Sequence, residues 1–423
     1  MIRHFYLLVL VLLPFVASFA QNPTDSLSRK KKDLKPYLNF WVLVQTDVIY
    51  DLNKMDPEWT SYFRPSKIPV RPGDPGWNDT DGNLFFSVKP STFKFEGVVP
   101  LKNKSFPLKL RFEFDLIGLG PYRNQTGVRF RLVYADWGHF RVGKDWSTFI
   151  DLSNFPNIYD WWGPSGMALL PDVMFRYTGK ISSRNIVDIA LELPGSSLDF
   201  GDIRSENPML DTVLENANFT TKEQIPDLVL RYTHLWNTGH FKIMSLLRSL
   251  EYDHPVVGST DPVLDRLFGW GINMSLQQQL LGGKLKLQGV FGRGYAAYNN
   301  DGGVDIAPVL HDDPQTPGVV EYMATVPFQY GFTAFYDYRI AKRWSGSFGF
   351  SETHYDVTDG QSYNAFNHSE YVVLQTIYSV FEDRFLIGLN YQYGHKYEKD
   401  GTDGFDQRLL LNFTYLFKSV HDE

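Results

Sequence analysis

Apolar and polar residues alternate with period two along most of this chain, the pattern of strands whose two faces meet different surroundings. The pattern predicts a first strand at YLNFWVLVQTDVIYD, Tyr37 to Asp51, and a second at LFFSVKPSTFKFEGVV, where Pro90 marks a bulge. LKLRFEFDLIG, VRFRLVYAD and HFRVGKD come next. The rhythm runs on through VMFRYTG, NIVDIALEL, DLVLRYTHLW and HFKIMSLLRSLEY to the closing FDQRLLLNFTYLFK, giving sixteen candidates in all. Most are near the roughly 10 residues that a tilted membrane strand needs. Even-numbered candidates end in short turns such as Asn237-Thr238-Gly239, Leu281-Gly282-Gly283 and Ala341-Lys342, and odd-numbered ones in longer loops. An even count with alternating connection lengths predicts an all-β, antiparallel transmembrane barrel with short periplasmic turns and longer extracellular loops.

The faces follow from the alternation. In the last strand Leu409, Leu411, Phe413, Tyr415 and Phe417 are assigned to lipid, and Arg408, Leu410, Asn412, Thr414 and Leu416 to the lumen. In GWGINMSLQ, Trp270, Ile272, Met274 and Leu276 point out and Asn273, Ser275 and Gln277 point in. Lipid cannot satisfy an open sheet edge, so the sheet must close, and about sixteen strands leave a water-filled interior.

The alternation stops at Gly143 to Asp172, GKDWSTFIDLSNFPNIYDWWGPSGMALLPD. Pro156, Gly163, Pro164, Gly166 and Pro171 break regular structure there. Trp146, Trp161 and Trp162 are more aromatic surface than a solvated loop carries, so the stretch, about 146–172, is expected to fold into the lumen as a constriction loop.

Composition fits export and a barrel. Met1 to Ala20 reads as a signal peptide, with Arg3, the apolar FYLLVLVLLPFV and a small-x-small site at Ser18-Phe19-Ala20. Residues 21–36 read as a short polar periplasmic tail, and 37–423 as the barrel. The chain has no Cys, and aromatics make up 16% of it, as aromatic girdles require. A net charge of -7 argues against nucleic-acid binding.

The expected inward face is basic beside the constriction loop. Lys109, Arg111, Glu113 and Asp115 alternate with Leu108, Leu110, Phe112 and Phe114. Arg129 and Arg131 alternate with Val128, Phe130 and Leu132, and Arg141, Arg176 and Arg231 share the inward phase of their strands. Adjacent strands lie about 5 Å apart, so these cations form one patch. Such rings select anions, and guanidinium groups match carboxylate and phosphate. The rival reading is that Glu113, Asp115, Asp136 and Asp145 pair with them and brace the wall. Asp151 and Asp160 could face this patch across the constriction or cap local turns.

No catalytic function is expected. His354 and His368 lie near strand ends without a serine in a nucleophile context, and no phosphate-binding or zinc-protease pattern occurs. The Asp-rich segments 301–313 and 356–359 are oxygen-rich but lack EF-hand spacing, so neither a metal nor a cofactor is expected.

The run VRFRLVYADWGHFRVGKDWSTFIDLSNFPNIYDWWGPSG resembles the DcaP-like trimeric outer-membrane porins. The resemblance rests on Gly143, Trp146-Ser147-Thr148-Phe149, Asp151, Pro156, Gly163-Pro164-x-Gly166 and Phe175-Arg176-Tyr177-x-Gly179, within residues 127–179. It implies a constriction loop in this stretch, a trimer in outer-membrane lipid, and a pore that prefers anions such as dicarboxylates. Residues 21–36 are too short for the N-terminal coiled coil that some relatives carry. The expected function is passive diffusion of small hydrophilic, anionic solutes; a non-conducting barrel serving as receptor, adhesin or enzyme is the alternative.

Overall fold

The computed structural model describes residues 35–419, except 103–105, 119–126, 200–219, 255–262, 313–319 and 382–383. The expected signal peptide and most of the expected tail lie outside the described residues.

The strands in chain order are β1 (Tyr37–Asp51), β2 (Asn83–Ser87), β3 (Thr92–Val99), β4 (Leu108–Gly118), β5 (Gly127–Trp137), β6 (Phe140–Trp146), β7 (Pro171–Lys180), β8 (Asn185–Glu192), β9 (Thr220–Lys222) and β10 (Asp227–Trp236). They continue as β11 (Gly239–His254), β12 (Val263–Leu280), β13 (Gly283–Arg293), β14 (Ala307–Asp312), β15 (Val320–Thr325), β16 (Phe328–Ala341), β17 (Trp344–Tyr355), β18 (Phe366–Phe381), β19 (Phe385–Glu398) and β20 (Asp403–Ser419).

Each wall strand pairs antiparallel with its neighbours, and β1 closes the ring on β20, from Phe40 opposite Ser419 to Asp51 opposite Arg408. β2 and β3 are two halves of one wall strand, interrupted at 88–91 where Pro90 cannot donate to the ladder. β9 adds to the upper end of β11, and β14 and β15 form a separate hairpin. The result is a closed sixteen-stranded antiparallel barrel.

The alternation places side chains as chemistry requires. On β20, Leu409, Leu411, Tyr415 and Phe417 are exposed on the outer face, whereas Arg408, Leu410, Asn412 and Thr414 are buried inside. On β12, Met274 is exposed outward and Asn273 and Ser275 are buried. Short turns gather at one end, at Gly138-His139, Asn237-Thr238, Leu281-Gly282 and Lys342-Arg343. The loops lie at the other, although the last of them, residues 399–402, is itself a tight turn.

One strand departs from strict alternation. Glu113 and Phe114 of β4 pair with Leu132 and Phe130 of β5, so Arg131 is an extra residue in a β-bulge. Arg129 and Arg131 both remain inside, but Leu132, expected outside, is turned inward and is 5% exposed.

Two connections fill part of the lumen. Residues 147–170 enter it from β6, as expected. The first loop, 52–82, also folds in: Met55, Phe63, Ile68 and Val70 pack on Phe335, Tyr371 and Val373 of the inner wall. Trp59 and Tyr62 join Trp161 and Trp162 of the constriction loop around Ile117, with Trp59 and Trp162 edge to face at 4.7 Å.

Candidate functional site: a basic wall facing an anchored loop

Within β6, four residues before the loop begins, Gly143 holds φ +126, a conformation that side chains resist. The constriction loop then crosses the inner wall and is fastened strand by strand. Ser147 Oγ and Thr148 N donate to Glu192 of β8 at 2.5 and 2.7 Å. Asn273 Nδ2 of β12 donates to the Phe149 carbonyl at 2.8 Å, and Asn154 Nδ2 to the Leu287 carbonyl of β13 at 2.6 Å. Asn157 N donates to Asp337 of β16 and Tyr159 N to Gln375 of β18. Trp161 Nε1 reaches Gln45 of β1 at 2.7 Å. On the way out, Gly166 N donates to Ser351 of β17 at 2.8 Å, and a Cβ at Gly166 would run into the Glu352 backbone.

Apolar contacts complete the docking. Phe149, Ile150 and Ala168 pack on inward-facing Ala190, Val229, Met244, Leu246 and Val290. These wall positions are apolar because the loop, not water, covers them.

Asp151 and Asp160 are anchors and do not face the basic patch. Asp151 is fully buried and accepts from Lys242 Nζ at 2.5 Å and Ser275 Oγ at 2.7 Å, with His240 Nε2 also 2.7 Å away. Burial alone would raise its pKa, but the His240 hydrogen bond and the Lys242 charge hold it well below the usual carboxylate range. It also caps the 3-10 turn Leu152–Asn154 by accepting from Ser153 N.

Asp160 accepts from Tyr371 OH at 3.0 Å and Trp162 N at 3.1 Å. Burial pushes its pKa up to about 6, against the lowering effect of the Tyr371 hydrogen bond. Because that value lies above the unfolded 3.8, the folded chain binds this proton more tightly. Its contribution is full below about pH 4 and is lost as pH rises through about 6, a difference of about 3 kcal/mol. We expect Asp160→Asn to lessen the fall in stability between those limits, read as the denaturation midpoint from pH 4 to 7; a variant that falls as steeply as the unaltered chain would contradict this.

The inner wall from β3 to β10 carries the predicted cations. Arg129 holds Asp115 through Nε and Nη2, at 3.2 and 2.7 Å, and its side chain is 41% exposed. Arg131 lies 3.5 Å from Glu113 and 3.6 Å from Asp115, between the rings of Trp146 and Trp161 at 5.4 and 5.2 Å. Arg111 reaches Glu96 and Glu113, Arg231 reaches Asp188 at 2.8 Å, and Lys109 is exposed and without an ion pair among the described residues. Arg141 pairs with Asp136 at 2.6 Å and with Asp145, which also takes Arg176 at 2.8 Å.

The central carboxylates of the wall lie deeper than their cations: the Asp115 and Glu113 side chains are 0% and 3% exposed, those of Arg129 and Lys94 41% and 33%. Glu113 serves Lys94, Arg111 and Arg131, while Asp115 and Asp145 each serve two guanidinium groups. The buried Nε donors of Arg111 and Arg176 have no protein acceptor. Lys94 was missed from sequence, although TFKFEGVV puts Lys94 and Glu96 on the inward phase; His240 and Lys242 show the same signal in HFKIM. Of the Asp-rich segments, Asp301 is bound by Arg64 and Ser66, and Asp305 by Arg248 and Ser197, so these carboxylates serve protein donors.

A closed sixteen-stranded barrel with a loop folded against its inner wall is the fold of outer-membrane porins. The chain is similar to the outer membrane channel DcaP of Acinetobacter baumannii, at 16% identity and a TM-score of 0.69, over 92% of this chain and 99% of that one. It is similar to the anion-selective porin from Comamonas acidovorans at 8% identity and a TM-score of 0.53, over 90% and 100% of the two chains. OmpT of Vibrio cholerae superposes at 11% identity and a TM-score of 0.51, over 92% and 99%. No family model matches the sequence, and no curated protein sequence matches it.

Proposed function

We propose that this protein is an outer-membrane pore for passive diffusion of small hydrophilic solutes, with a preference for carboxylate-type anions. The observation that carries the reading is the depth of the charges: Glu113 and Asp115 are buried beneath their partners, while Arg129 and Lys94 reach the surface of the wall and Lys109 is exposed with no ion pair among the described residues. In a confined lumen an exposed cationic face favours anions, and a guanidinium fork matches two carboxylate oxygens. The wall is also braced, because a carboxylate that holds two cations fixes both; bracing and selection are one arrangement here. The channel and anion-selective porin among the similar structures support the reading, as does OmpT's trimer form for a homotrimer. The signal-like start of the chain supports export to the outer membrane.

Purified protein in a planar lipid bilayer should conduct in discrete, uniform steps. Silent bilayers in the presence of folded, heat-resistant protein would place the chain among non-conducting barrels.

A further inference from the structure

The short-turn mouth of the barrel holds cations of a different kind. Arg339, Lys342 and Arg343 cluster at the β16–β17 turn, with Lys284 on the neighbouring β13. All four are exposed, and among the described residues none is in an ion pair, unlike Arg129, Arg176 and Arg231. Arg343 has one hydrogen bond, at 3.5 Å to Tyr378 OH.

Arg339, Lys342 and Arg343 line a cavity of about 220 Å³ with Ser345, Ser379 and Asn157. Among the described residues no carboxylate lines it. A second cavity, about 720 Å³, shares Arg339 and Asn157 and adds Lys284 and Asp337. Asp337 is already committed: it takes Lys286 Nζ at 2.7 Å and the backbone N–H of Asn157 at 3.0 Å. Among the described residues the cluster is therefore open and uncompensated. It also sits on the lumen side, since Asn157 belongs to the constriction loop and Arg339 pairs with inward-facing Ser345.

We infer that this mouth is a second anion-binding station, placed below the constriction loop and on the wall opposite the first. Its ligand class is a small polyvalent oxyanion, a phosphate or a polycarboxylate, for which two guanidinium forks and an ammonium supply charge and several donors. A solute drawn through the constriction would meet it on the way out. The inference rests on the proposed pore function for its physiological meaning, but the site itself is defined by the mouth alone.

The test is single-channel current in bilayers of zwitterionic phosphatidylcholine, with pyrophosphate added to one compartment at a time. The unaltered channel should be blocked from the short-turn side, the periplasmic side in the proposed orientation. In Arg339→Gln/Lys342→Gln/Arg343→Gln the half-blocking concentration should rise roughly tenfold. The three side chains are exposed at a turn, so the variant should keep its heat resistance and the sign of its ion preference. Equal block in both proteins overturns the inference and leaves the pore reading intact. An unaltered channel without anion preference removes the proposed anion selectivity of the wall, while the block comparison still judges the station. A block that vanishes when anionic phosphatidylglycerol is included would show that lipid headgroups own the cluster, and would also overturn it.

Discussion

Removing Ser153 to Ser165 from the constriction loop is expected to raise single-channel conductance roughly twofold or more and to weaken ion selectivity. The loop lies against β11, β12, β13, β16 and β18 and narrows the lumen from that side. Deletion withdraws Trp161 and Trp162, which meet Trp59 and Tyr62 of the first loop, and uncovers the wall beneath. It also leaves Arg131 without one of its two flanking rings. The cut spares Asp151, Phe149 and Ile150, so the base of the loop keeps its contacts with Lys242, Ser275 and the inward apolar wall. The truncated chain should therefore still fold. Unchanged conductance from a folded deletion protein would mean that the current does not pass beside this loop.

Much of this was legible in the chain, and the limits have physical causes. Period-two alternation reports which face a side chain takes, so it located the wall, the inward cations and the outward Leu409, Leu411 and Tyr415. It reports nothing about what lies opposite. Asp151 and Asp160 could be placed in the loop, but not on the wall away from the arginines, because their partners Lys242, Ser275 and Tyr371 are 91, 124 and 211 residues distant. The bulge at Arg131 was hidden because an inserted residue leaves the local pattern apolar at Leu132. The inward fold of the first loop was hidden by its many Pro, Gly and Asp residues, although Trp59, Tyr62, Phe63 and Ile68 in the same segment are the residues that bury themselves.

Arg129 and Arg131 should separate selection from bracing. Arg129 is substantially exposed, and Asp115 retains Arg131 when it is lost, so Arg129→Ala should move the reversal potential toward cations with little loss of heat resistance. Arg131 is 8% exposed and lies between two tryptophans and two carboxylates. Truncating one partner of a buried pair costs about 3–5 kcal/mol when the other charge is stranded. Here Glu113 keeps Lys94 and Arg111, and Asp115 keeps Arg129, so about 2 kcal/mol is expected for Arg131→Ala. The double variant should show both effects, with carboxylate permeation reduced more than chloride, since a planar fork fits two oxygens better than a sphere. The change should be larger in dilute salt, where the screening length is about 30 Å at 0.01 M against about 3 Å at 1 M. A double variant that melts early but keeps its ion preference would reduce the wall to a brace.

The reference for these comparisons is the zero-current potential of the unaltered protein across a potassium chloride gradient. The exposed cations of the wall, Arg129, Lys94 and Lys109, predict the sign set by chloride, growing as both solutions are diluted. A potential of the sign set by potassium, or none at all, would contradict it.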